Sequence, residues 1–192
     1  MHYALYGHRE IAAIILMAAV MFSTTRLLLW IQQPYYAATG IPVVWYGVMS
    51  AFAFGMIAVS SQFAHKLERW ISPVMLMGVL MLVLLGIALL AGNFLLAIFA
   101  PLLLVGQAMY GVANPVVSDV ISQRAEPERR ATILSAQSLL ASLFFTVLSV
   151  PYGWLAEHQG VQVSLLALAG VLVILGLPAW LLLLRQTRIS AH

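Results

Sequence analysis

The chain contains no cysteine. That excludes disulfides, thiolate metal sites and cysteine nucleophiles. Charge is almost as scarce. Only 8% of the residues are Asp, Glu, Lys or Arg, about a third of the usual share. So few charges cannot cover a water-soluble globule of this length, and a soluble enzyme is excluded. Disorder is excluded as well, because it requires high charge and low hydrophobicity. No room is left for a separate soluble domain. What the chain does have is apolar side chains, 63% of 192 residues. One helical span takes about 20 apolar residues, and the apolar total suffices for six.

Six apolar runs can be drawn: Glu10 to Gln33, Val43 to Ala64, Ser72 to Ala91, Phe94 to Ser122, Ala131 to Ala156 and Val161 to Leu184. Gly, Pro and charged residues punctuate them. The runs are too long for strands and lack the alternation of a membrane barrel. The first run is long enough to span and shows no cleavage site, so no signal peptide is expected. The fold class is therefore an all-α membrane protein, one six-helix bundle over residues 1–192.

Basic residues fall on one side of this chain. Arg9, Lys66, Arg69, Arg124, Arg129, Arg130, Arg185 and Arg188 occupy the two tails and the second-to-third and fourth-to-fifth loops. The opposite loops hold only Glu157 and His158. Cytoplasmic loops carry the excess of Lys and Arg, so both termini are expected in the cytoplasm of a plasma (inner) membrane. The formal charge of +3 thus reports topology, and no nucleic-acid partner is expected.

Polar residues are distributed with a period of three helices. The first helix carries Ser23, Thr24, Thr25, Arg26, Gln32 and Gln33, and the fourth carries Gln107, Tyr110, Asn114, Ser118 and Asp119. The third and sixth are almost purely apolar. The second and fifth carry small residues at packing intervals: Gly47, Ala51, Gly55 and Ala58, then Ser135, Ser138, Ser142, Thr146 and Ser149. Lipid offers polar groups no hydrogen bonds. Helices one and four are therefore expected to line an interior path, two and five to pack against neighbours, and three and six to face lipid. Two three-helix units result, about 10–91 and 93–185. An odd number of spans makes the second unit enter from the opposite side, an inverted repeat.

Several local patterns add to this. Gln33-Pro34-Tyr35 is followed by Gly40 and Gly47. Phe63-Ala64-His65-Lys66-Leu67-Glu68-Arg69 forms a basic loop. Gly111-Val112-Ala113-Asn114-Pro115 precedes Arg130-Ala131-Thr132-Ile133-Leu134-Ser135, and Pro151-Tyr152-Gly153-Trp154-Leu155-Ala156-Glu157 precedes Gly160. With these, the chain resembles the C-terminal six-helix half of a major facilitator superfamily transporter. In the basic loop, Ser61, His65 and Glu68 stand where that family has Gly, Asp and Gly. The resemblance implies a secondary transporter, or half of one, moving a small solute by alternating access. It also implies a second six-helix bundle as partner, either another copy or a missing N-terminal half.

Candidate site residues follow from the polar helices. Arg26 is the one basic residue well inside a span, and such a charge costs a few kcal/mol unless it is used. Ser23, Trp30 and Gln33 share its face, and Gln107, Tyr110 and Asn114 form a stripe on helix four. These seven are the candidate cavity lining for a small solute, with Arg26 attracting an anionic group. Asp119 is expected to form a structural pair with Arg130, or else with Arg124. Tyr35, Tyr36, Trp45 and Tyr46 read as interfacial anchors. The histidines show no metal spacing, and no catalytic constellation is present. Neither metal, cofactor nor enzymatic activity is expected. The alternatives are a non-transporting structural or regulatory subunit and an oligomeric channel. A channel would need polar faces on helices three or six.

Overall fold

The computed structural model describes residues 9–189. Those residues form six helices long and apolar enough to cross a membrane, so the chain has the build of a multi-pass membrane protein. They are α1 (Arg9–Ala38), α2 (Tyr46–Glu68), α3 (Pro73–Asn93), α4 (Ala100–Arg124), α5 (Arg130–His158) and α6. The last comprises Val161–Val171, a π-helical stretch Leu172–Gly176 and Leu177–Ile189. His2, His8 and His192 lie outside the described residues.

Local chemistry sets the helix ends. α1 runs past Gln33, through Pro34, to a glycine stop. Gly40 takes φ +75°. The Ile41 N–H donates to the Tyr36 carbonyl and the Gly40 N–H to that of Ala37, the paired bonds of a Schellman motif. The start of α4 lies later than the apolar run implies. Phe94 and Leu96 are extended, and Pro101 enters in the first turn, where its missing N–H costs nothing. α3 opens on Ser72, whose hydroxyl accepts from the Met75 N–H at 3.4 Å, with Pro73 next. The widened stretch in α6 leads into Pro178, which cannot donate to the carbonyl of Ile174.

α1 is the central helix. It packs on α4, α5 and α6, and 78% of its most apolar window is buried. α2 packs tightly on α4, while α3 lies against α4 and α6. Two glycines permit the closest approaches. A Cβ on Gly111 of α4 would fall on the Ser60 hydroxyl and 2.5 Å from the Ile57 carbonyl oxygen of α2. On Gly78 of α3 it would fall on the Trp180 indole of α6, whose Nε1 donates to the Val74 carbonyl at 3.1 Å.

Two expectations about the layers are corrected. α3 does not face lipid over its whole surface: Met77, Met81, Leu84 and Ala88 on one face are fully buried, while Met75, Val79, Leu82 and Leu90 on the other are exposed. An apolar side chain fits a protein core as well as lipid, so composition alone does not separate the two. The small residues Gly47, Ala51, Gly55 and Ala58 do not seat α2 on its neighbour. All four are exposed, and a Cβ on Gly47 or Gly55 would meet nothing within 4 Å. The seat is the opposite face, where Ala53 and Ala64 are buried and Ile57 and Ser60 meet Gly111. On α5, Ser135, Ser138 and Thr146 are exposed as well.

Candidate solute-binding groove

The polar residues of α1 largely serve the bundle itself. Ser23 is fully buried, and its hydroxyl is shared between the carbonyls of Ala19 at 2.6 Å and Ala141 of α5 at 2.9 Å. Thr24 and Thr25 donate back to Val20 and Phe22 of their own helix. Two amides cross between α1 and α4. Gln32 donates to the Leu103 carbonyl at 3.3 Å, and Gln107 to that of Thr25 at 3.2 Å. Such bonds in a membrane bundle contribute about 0.6 kcal/mol each. Ser23 and Gln107 are thus interhelical ties, because their helix faces point at a neighbour rather than at open space. Tyr110 is half-buried, edge-on to Phe22. Gln33 and Asn114 are exposed.

Arg26 behaves differently. It sits near the middle of the Ile11–Ala38 span and is half-buried. Its Nη1 donates to the Ser142 hydroxyl of α5 at 3.2 Å, and its guanidinium carbon lies 6.0 Å from the Phe145 ring centre. Among the described residues no carboxylate pairs with it. A guanidinium has five N–H donors, so most of its hydrogen-bonding capacity stays available.

Beside it runs a groove of about 590 Å³ between α1 and α5. Leu27, Trp30, Ile31 and Pro34 form one wall. Phe145, Ser149, Tyr152 and Gly153 form the other, with Glu157 at the end of the lining on α5. Trp30 is exposed at 71% and faces Phe145 across 6.1 Å. Tyr152 is buried, and its hydroxyl has no partner among the described residues. The structure therefore joins Trp30 and Arg26 of the sequence candidates through Phe145. Of the seven candidates only Trp30 lines the groove; Arg26 adjoins it through Phe145, and Ser23, Gln33, Gln107, Tyr110 and Asn114 lie outside the lining. Phe145 and Tyr152 were not legible as site residues, since an aromatic on an apolar helix reads as core.

Asp119 does not pair with Arg130. Its carboxylate faces His65 of α2 at 3.5 Å, and Arg130 Nε donates to the Ala125 carbonyl at 3.4 Å. The tight α2–α4 contact brings the end of α2 over this face of α4. The tyrosines are corrected too: Tyr35 and Tyr36 are fully buried. Tyr35 shares its O–H between the carbonyls of Phe94 and Leu96, each at 3.1 Å, satisfying the non-helical entry to α4.

Comparison with known proteins assigns no family: no family model matches the chain, and neither a curated protein nor a solved structure matches it.

Proposed function

We propose that this chain is one six-helix half of a secondary active transporter of the major facilitator type, in a plasma (inner) membrane with both termini cytoplasmic. It moves a small amphipathic anion by alternating access beside a second six-helix bundle. The observation that carries this reading is the pattern of helix pairing. Exchange α1 with α4, α2 with α5 and α3 with α6. The pair α2–α4 then becomes α5–α1, and α3–α4 becomes α6–α1, while α1–α4 and α3–α6 map onto themselves. Each of these principal contacts is present, although α4–α5 has no comparable α1–α2 contact and α5–α6 is more extensive than α2–α3. Exchange symmetry of the principal pairs is what an inverted three-helix repeat produces. The sequence supports the same exchange. Gln33-Pro34 in α1 corresponds to Asn114-Pro115 in α4, and a long polar side chain stands eight residues before each proline, Arg26 and Gln107.

The solute class is read from the groove and from Arg26. The walls are apolar and aromatic apart from Ser149 and a carboxylate, Glu157, at one end; the Arg26 guanidinium, which adjoins the lining through Phe145, lacks a counter-ion among the described residues. A charge within a span is costly, and an anion brought by the solute offsets that cost. The need for a second bundle follows from α2 and α5, whose small and hydroxyl residues face outward. Small residues there let helix backbones approach closely.

Membrane vesicles from cells expressing the chain test the function, with phenylacetate as the amphipathic anion. Carrier action gives saturable uptake that accelerates when phenylacetate is loaded on the far side. Flux that rises linearly with concentration and ignores the far side would overturn the proposal in favour of a channel.

A further inference from the structure

His65 and Glu68 stand three residues apart near the end of α2, and so project from one face of it. His65 Nδ1 lies 3.5 Å from Glu68 Oε2 and 3.5 Å from Asp119 Oδ2 on α4. One ligand atom from each of the three residues lies within 4.8 Å of the others. A point between atoms so spaced is within roughly 2.8 Å of each. Side-chain rotations that move each ligand atom by about 0.6–0.8 Å close that to the about 2.0–2.2 Å of His and carboxylate bonds to zinc. We propose that His65, Glu68 and Asp119 bind a divalent transition-metal ion that clips the end of α2 to α4.

Three further observations support a cation here. Both carboxylates stand toward helix C-termini, Glu68 as the last residue of α2 and Asp119 near the end of α4. The macrodipole puts partial negative charge there and favours a cation. Second, among the described residues neither carboxylate pairs with Lys or Arg. Lys66, beside His65 in sequence, lies instead 5.3 Å from the Phe63 ring centre. Third, the third ligand is held in place. The Gly111 contact fixes α4 against Ile57 and Ser60, two turns before His65. One imidazole with two carboxylates suits zinc and its first-row neighbours better than calcium or magnesium, which take oxygen ligands alone. His65 is open to solvent, its side chain 71% exposed, so an ion has a path in.

The test titrates Co²⁺, followed by its visible absorption, and Zn²⁺, followed by calorimetry, into the full chain in mild detergent without a histidine tag. One ion per chain is expected. His65→Ala and Asp119→Asn should each weaken binding at least about tenfold, and His158→Ala should leave it unchanged. Zn²⁺ should raise the thermal midpoint of the unaltered chain and not that of His65→Ala. A failure of either variant to give folded protein is met by Glu68→Gln, judged by the same loss of affinity. Binding unchanged in the variants, or no binding with millimolar Zn²⁺, overturns the site.

Discussion

Replacing Gly111 by alanine is expected to strip the detergent-solubilised protein of most of its folded fraction. The new Cβ would lie 2.5 Å from the Ile57 carbonyl oxygen and on the Ser60 hydroxyl. Ser60 can rotate away, but a backbone carbonyl within a helix cannot. Overpacking a close contact costs about 1–3 kcal/mol where side chains adjust, and here the obstruction is main chain, so the effect belongs at the upper end. The α2–α4 pair would have to separate, carrying His65 away from Asp119. Size-exclusion profiles after stepwise heating measure the loss. Gly86→Ala and Gly170→Ala are the controls, because a Cβ at either meets nothing within 4 Å. Both should match the parent or gain slightly, as alanine reduces the freedom of the unfolded chain. A Gly111→Ala profile equal to these controls would contradict the close packing of α2 on α4.

Arg26→Ala is expected to lower phenylacetate uptake about 10- to 100-fold while leaving the folded fraction nearly intact. The range follows from the about 1.5–3 kcal/mol of a hydrogen bond to a charged group. Folding should tolerate the change, because among the described residues the side chain makes one hydrogen bond, the 3.2 Å contact with Ser142, beside its contact with the Phe145 ring. Arg26→Lys should restore part of the uptake, since lysine keeps the charge and loses the planar donor fork. Phenethylamine, of similar shape and opposite charge, should not compete. Collapse of the folded fraction in Arg26→Ala would make the residue structural, and unchanged uptake would remove it from the solute path.

The number of spans was legible because length and apolarity are both one-dimensional properties. Six runs became six helices long and apolar enough to cross a membrane. Which face of each helix is buried was less legible, for a reason specific to membranes. In a soluble helix the apolar stripe marks the core, whereas here both sides of a helix are apolar. α3 therefore read as lipid-facing and is half core. The stripe Gly47, Ala51, Gly55 and Ala58 read as a packing surface and lies on the exposed face. Polar residues inside the spans were a better guide. Arg26, Ser23 and Gln107 were each singled out, and each meets another helix. What the sequence did not reveal was how their roles divide. Ser23 and Gln107 end on carbonyls within the bundle, and only Arg26 keeps donors to spare beside the groove. The cluster of His65, Glu68 and Asp119 was not legible because its members are brought together by helix packing. Spacing along the chain places Asp119 with Arg130, while the fold places it with His65.

The functional unit proposed for this chain has two six-helix bundles, joined through the exposed faces of α2 and α5. The absence of native cysteine makes that claim directly measurable by cross-linking in native membranes. Single cysteines at Ala51 on α2 and Thr146 on α5, both exposed, are labelled with a maleimide photo-cross-linker. Leu82 on α3 and Ile174 on α6, exposed at 46% and 70%, serve as comparison sites. The account predicts discrete adducts from Ala51→Cys and Thr146→Cys, their mass that of this chain plus one further six-helix bundle, and lipid adducts alone from Leu82→Cys and Ile174→Cys. Lipid adducts alone from all four sites would show the bundle standing by itself and would contradict the account.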